Sequence, residues 1–319
     1  MNRVFKRCLI TGIAGSGGSY LAEYILKISP STKIFGFYRS SGYSKLLKKK
    51  YKTKISIKKI DLKDFDTLKK NLRLVNPDVV FHLASNADVR NSFFEPLKFS
   101  ENNNMITINL LEALRQLKSK STIIICSTSE VYGNVQKKNM PIKETQQIAP
   151  INPYAVTKVF QDLMSQVYEK TFGLNIIVTR MFSYMNARRN NLFQTAFANQ
   201  VAAIEQGKLK YLRHGNLKSE RTIIDTNDAM EAYWLAAKKG KIGEIYNIGC
   251  DEGMEYSVMQ VAEMIIKRIK KDDPIDKWIT YIPDRPFNDK RYYISNQKLK
   301  DLGWSVEIDF ESGLDALCM

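Results

Sequence analysis

The chain predicts an α/β fold: a Rossmann-like doubly wound parallel sheet carrying a smaller C-terminal substrate-binding lobe. Three observations predict it. A glycine-rich turn joins the first apolar run to an amphipathic segment. Short runs rich in Ile, Val and Phe then alternate with helical patterns, and that rhythm loosens after Arg180. The expected division is residues 1–180 for a dinucleotide-binding domain and 181–319 for the second lobe, some of whose strands and helices return to the first.

The apolar run at 5–11 ends in Thr11-Gly-Ile-Ala-Gly-Ser-Gly-Gly18, with glycines at Gly12, Gly15 and Gly18. Side chains at Gly12 or Gly15 would block close approach of a pyrophosphate, and Gly18 lets a helix at 17–28 lie against the strand. The free N–H groups at that helix start suit phosphate. Further strands are expected at 33–38, 55–60, 78–83, 121–126 and 175–180, with helices at 64–74, 101–118 and 153–172. Asn152 reads as the cap of the last helix and Pro153 as its first residue. Beyond Arg180, helices are expected at 193–206, 227–238 and 257–270. Tyr246-Asn-Ile-Gly249 reads as a strand returning to the sheet.

At 319 residues, with 44% hydrophobic and 26% charged content, the chain can bury a real core as an ordinary globular protein. No apolar run is long enough for a bilayer and the start does not read as a secretory signal, so no membrane partner and a cytoplasmic location are expected. Cys8, Cys126, Cys250 and Cys318 lack disulfide or zinc spacing, and His82 and His214 are the only histidines, so no metal is expected. The net charge of +16 admits a nucleic-acid surface or a lysine-biased solvated one. The densest cluster, Lys45 to Lys54, lacks interleaved aromatic platforms, which favours the second and no nucleic-acid partner.

Tyr154-Ala-Val-Thr-Lys158 opens the long helix, and residues four apart share a face. It is the only tyrosine with lysine four residues later. Ser127-Thr128-Ser129-Glu130 follows the fifth strand, and ligands of open parallel sheets bind beyond the carboxyl ends of the strands. A phenol titrates near pH 10, so a base working near neutrality needs about 3 units of lowering, or roughly 4 kcal/mol. A cation about 4 Å away supplies on the order of 4 kcal/mol. The expectation is that Lys158, joined by the positive nicotinamide ring of an oxidised cofactor, supplies it and Tyr154 takes a proton from a sugar hydroxyl. The second strand lacks the acid that would hold an NAD ribose. Arg39 with Ser40 suits the 2′-phosphate of NADP, with an ordinary surface arginine as the alternative.

These segments together resemble the extended short-chain dehydrogenase/reductase family, in its nucleotide-sugar 4,6-dehydratase branch, and most of all the GDP-mannose 4,6-dehydratases. The similarity runs through Thr11 to Glu23, Ser127-Thr-Ser-Glu-Val-Tyr-Gly133, Arg188-Arg189 and Gly215-Asn-Leu217 with Arg221. Asp284-Arg-Pro-Phe-Asn-Asp-Lys-Arg-Tyr292 looks instead like the dTDP- or UDP-glucose dehydratases. NADP is thus expected ahead of NAD, and the resemblance implies that Asp61, Leu62, Leu83, Ala84, Ser85, Tyr154 and Lys158 also hold it. It implies that Thr128 hydrogen-bonds the sugar O4 and that Glu130 removes the C5 proton and assists loss of the C6 hydroxyl. Ser129, Arg188, Asn191, Asn216, Arg221 and Arg285 would meet the nucleotide sugar. It also implies a homodimer built on the helices at 101–118 and 153–172, with a homotetramer as the alternative. The apolar stripe Ile106, Leu110, Leu114 and Leu117 would face either the sheet or that partner.

Ser183, Asp88 and Arg221-Thr-Ile223 depart from the GDP-mannose pattern, all on the sugar-nucleotide side. Two other functions share these motifs or this fold: a GDP-4-keto-6-deoxy-sugar reductase, and a non-catalytic nucleotide- or RNA-binding protein.

Overall fold

The computed structural model describes residues 2–318 apart from Lys52, Asp251, Glu252, Lys271, Asp272 and 284–290. Strands β1 (Arg7–Thr11), β2 (Lys33–Tyr38), β3 (Ile55–Lys59), β4 (Val79–His82), β5 (Thr122–Thr128) and β6 (Ile176–Met181) alternate with helices. The helices are α1 (Ser16–Ile28), α2 (Ser44–Tyr51), α3 (Phe65–Val75), α4 (Val89–Phe94), α5 (Pro96–Gln116) and α6 (Pro153–Phe172). The second half adds strands β7 (Ser183–Tyr184), β8 (Leu212–His214), β9 (Glu220–Ile224) and β10 (Ile245–Ile248), with helices α7 (Phe193–Glu205) and α8 (Thr226–Lys239). Strand β11 (Glu255–Ser257) and helix α9 (Val258–Ile266) follow.

Seven parallel strands form the main sheet in the order β10-β6-β5-β4-β1-β2-β3. The order reverses between β1 and β4, so a crevice opens there at the strand ends. Alternation along the strands feeds two cores, as a sheet covered on both faces requires. Cys8, Ile10, Phe81 and Ile124 pack with Leu21 and Ile25 of α1 and with Trp234 of α8. Leu9, Val80, Ile123 and Ile125 pack with Leu68 and Leu72 of α3 and with Ile106, Leu110 and Leu114 of α5. The Ile106 stripe therefore faces the sheet. The outward face of the α5–α6 pair carries a different apolar set: Met105, Val156, Leu163 and Val167, all exposed.

Two expectations need correction. The lysine run at 45–50 is helix α2, anchored by buried Leu47, where the sequence reads only as a charged surface cluster. The helix expected at 101–118 starts earlier, because Pro96 fits a first turn, and a separate short helix, α4, precedes it behind an Asp88 cap. The second lobe has its own core of Phe197, Leu212, Ile223, Val261 and Ile265. Helix α8 packs back on β5 and β6, and β10 pairs with β6 as the sheet edge. No described helix is long and apolar enough to cross a membrane.

Candidate active site

Strand β1 delivers the chain to Gly12, whose φ of +72° is the left-handed region that glycine adopts without strain. A Cβ there would lie 2.8 Å from the Ala84 backbone, so the turn at β1 and the end of β4 meet at a distance no side chain allows. At Gly18 a Cβ would lie 2.4 Å from the Gly12 carbonyl, which packs α1 under the turn. Next to this turn lies a groove of about 200 Å³. It is lined by Gly12, Gly15, Arg39, Ser40, Asp61, Leu62, Leu83, Ala84 and Ser85, drawn from the ends of four strands. Gly18, Tyr154 and Lys158 lie outside that lining. Asn86, Asn102 and Ile106 line the groove as well, and the sequence reading missed them. Arg39 donates to Asn102 Oδ1 at 2.6 Å and to Asn86 Oδ1 at 3.3 Å. A cradle closed to side chains, apolar Leu62 and Ile106, and a guanidinium at its rim fit a dinucleotide.

The second cavity, about 550 Å³, collects Thr128, Ser129, Glu130 and Tyr154 from the ends of β5 and α6. Helix α6 starts where the sequence places it because the Asn152 Oδ1 accepts the Ala155 amide at 2.7 Å. Tyr154 is buried beside Thr128. Burial pushes its phenol up to about 12; Arg189 and Thr128 act against that rise and Glu130 adds to it. Arg189 is the charge that acts most strongly on the phenol. The Lys158 Nζ lies 6.0 Å from the Tyr154 ring centre and donates to the Cys126 carbonyl at 2.8 Å and Gln161 Oε1 at 2.7 Å. A buried ammonium needs such acceptors, and burial still lowers it to about 8. His82 hydrogen-bonds Thr11 and Thr107 inside the sheet, and burial, with Lys158 nearby, lowers it to about 3.

Among the residues expected to meet substrate, Asn191, Asn216 and Arg221 line the same cleft as Thr128, Ser129, Glu130 and Tyr154, and Arg285 lies outside the described residues. Arg188 is turned elsewhere. Its guanidinium lies 4.0 Å from the Tyr20 ring centre, 2.8 Å from Ser19 Oγ and 2.5 Å from Glu23, on α1. The neighbouring Arg189 lines the cleft instead, braced by the Ala87 carbonyl and Asn191. Arg213 and Ser219 also line it. The Ser219 Oγ is buried without a hydrogen-bond partner among the described residues, a group that a polar ligand would satisfy. Nothing in the sequence signals Ser219, whereas Arg189 lies one residue from the arginine chosen.

Comparison with known proteins agrees with this geometry. The GDP-mannose 4,6 dehydratase family model matches residues 9–317. Over 97% of its length the chain is 30% identical to dTDP-D-glucose 4,6-dehydratase of Dictyostelium discoideum, covering 80% of that protein. It is 31% identical over 97% of its length to a trifunctional UDP-glucose 4,6-dehydratase/3,5-epimerase/4-keto-reductase of Arabidopsis thaliana, and spans only 46% of that protein. Among solved structures, dTDP-glucose 4,6-dehydratase from Bacillus anthracis in complex with NAD superposes with a TM-score of 0.85 at 26% identity, covering 98% of this chain and 94% of that one. RMD from Pseudomonas aeruginosa complexed with NADPH superposes with a TM-score of 0.80 at 25% identity, covering 98% and 97%. A nicotinamide dinucleotide is therefore the cofactor class that both the groove and these relatives support. The chain belongs to the GDP-mannose 4,6 dehydratase family, among the sugar-nucleotide dehydratases of the extended short-chain dehydrogenase/reductases.

Proposed function

We propose that the chain is an NADP-dependent nucleotide-sugar 4,6-dehydratase that converts a GDP-mannose-like substrate to its 4-keto-6-deoxy product. The observation that carries this reading is a single cleft holding Thr128, Glu130 and Tyr154 together with Arg189, Asn216 and Arg221. Hydroxyl, phenol and carboxylate are what oxidation at C4 and elimination across C5–C6 require, and arginines suit a diphosphate. Residues 1–180 hold the cofactor and 181–319 the nucleotide. Arg39 is the residue that selects NADP.

A nicotinamide dinucleotide would be held by the groove of Gly12, Gly15, Arg39 and Asp61, and would supply the hydride acceptor and donor that the cycle needs. Thr128 hydrogen-bonds the sugar O4, and Tyr154 takes the O4 proton. Lys158 presents its charge beneath them, and Ser129 lines the sugar site. Glu130 removes the C5 proton, made acidic by the C4 ketone, and delivers a proton to the departing C6 hydroxyl, which leaves as water. Arg221, Asn216, Asn191 and Arg285 bind the nucleotide sugar. Arg188 holds the loop from which Arg189 enters. The enzyme works in the cytoplasm as a homodimer through the exposed faces of α5 and α6.

The test is to incubate the protein separately with GDP-mannose, dTDP-glucose and UDP-glucose and weigh the products. The expected result is loss of one water from GDP-mannose with no net consumption of NADPH. Stoichiometric oxidation of NADPH would replace this reading with a reductase. Turnover of UDP- or dTDP-glucose alone would move the substrate to the second reading, which the names of the Arabidopsis and Dictyostelium relatives favour.

A further inference from the structure

Asn152 makes two hydrogen bonds that serve different ends. Its Oδ1 accepts the Ala155 amide at 2.7 Å and caps α6, two residues before Tyr154. Its Nδ2 donates to Glu130 Oε2 at 2.8 Å, across 22 residues of chain. Capping needs only an oxygen, and Asp and Ser supply one about as well as Asn. The amide donor is therefore surplus to the helix, and it points at the carboxylate that the dehydratase reading uses.

The rest of the Glu130 surroundings show why such a contact matters. Glu130 sits on a short 3-10 turn, Ser129–Tyr132, where its amide donates to Thr128 Oγ1 at 3.4 Å. The far end of that turn is fixed by Arg180, which donates to Tyr132 Oη at 2.9 Å and to Asp162 of α6 at 2.8 Å. Those bonds hold the Tyr132 side chain at the end of the turn. They do not reach the glutamate carboxylate, whose terminal torsion is broad. The Asn152 bond restrains that side chain.

We propose that Asn152 is a positioning residue for the C5 proton transfer, tying the Glu130 carboxylate to the helix turn that carries Tyr154. The inference rests on Glu130 being the C5 base. A donor on Oε2 fixes the carboxylate plane relative to the phenol, so the group that oxidises C4 and the group that deprotonates C5 keep one spacing. Misplacement of such a pair by about 1 Å costs on the order of 100-fold.

Two substitutions separate this role from capping. Asn152→Asp keeps the cap oxygen and the shape but sets a second carboxylate against Glu130. Asn152→Gly removes the side chain while leaving a residue that helix starts accept nearly as well as asparagine. The measurements are kcat, KM, thermal midpoint and the kinetic isotope effect with substrate deuterated at C5. The expected result for Asn152→Gly is a roughly 10-fold fall in kcat with KM changed less than about threefold, a near wild-type midpoint and a larger C5 isotope effect. Asn152→Asp is expected to lose more. Wild-type kcat in the Gly variant, or a loss that tracks the midpoint with an unchanged isotope effect, would overturn the proposal. Glu130→Gln is the control for the reading beneath it. If that variant still removes the C5 proton, the role of Glu130 fails. If it is inert while the Asn152 variants turn over normally, only the positioning role fails.

Discussion

Lys158 reaches away from the phenol four residues before it and binds the carbonyl of Cys126 at 2.8 Å. The ammonium is held beneath the end of β5, among Cys126 and His82 on the sheet and Gln161 and Asp162 on its own helix. Burial brings it from 10.5 to about 8. Between about pH 8 and 10 the unfolded chain therefore binds a proton here that the folded chain lacks, so this lysine makes stability rise with pH across that window. Compared with Lys158→Met, the wild-type melting temperature should gain ground from pH 8 to pH 10 in a calorimetric series. Parallel curves would refute the assignment.

Tyr154 is predicted to be indispensable to turnover. Tyr154→Phe keeps the buried ring but removes the acid–base group, a change expected to cost 100-fold or more in kcat, roughly the contribution of one positioned proton acceptor. Single-turnover assays that detect C4 oxidation would show the defect at the first step.

Gly12→Ala should fail twice. The residue would carry a Cβ at φ +72° and press it to 2.8 Å from Ala84. Destabilisation of about 2 kcal/mol or more is expected, by denaturant titration. Dinucleotide binding, followed by nicotinamide fluorescence, should weaken beyond detection.

Arg39→Ala tests cofactor choice. A charge-assisted bond to phosphate is worth about 1.5–3 kcal/mol, so the variant should bind NADP roughly 10- to 100-fold more weakly and NAD unchanged. Equal loss for both would make Arg39 a scaffold for Asn86 and Asn102 only.

The exposed apolar residues of α6, Val156, Leu163 and Val167, share one face at helical spacing. Leu163→Glu should shift the protein from dimer to monomer in sedimentation velocity while leaving the fold intact. A wild-type monomer would remove the dimer reading.

Local pattern carried most of what the sequence revealed. The strands at 33–38 and 55–60, the cap at Asn152 and the glycine cradle all follow from neighbours in the chain, and each appears within a residue or two of its expected place. Residues 188 and 189 mark the limit. Side chains adjacent in a tight loop diverge, and Arg188 is claimed by Glu23, 165 positions earlier, which no local rule foresees. The groove asparagines illustrate the same limit: Asn102 meets Arg39 only after α5 packs on the sheet. Lys158 likewise answers to a carbonyl on another element, so spacing from Tyr154 revealed the face but not the partner.

Strand β10 has a consequence for how the polypeptide can be handled. Its residues 245–248 come from beyond the start of the second lobe, yet they cover the outer edge of β6. Cutting the gene after residue 181 would strip that cover and leave a row of bare amides and carbonyls, an invitation to self-association. The two halves are better pictured as a clasp than as beads on a string, and neither should be expected to survive expression alone.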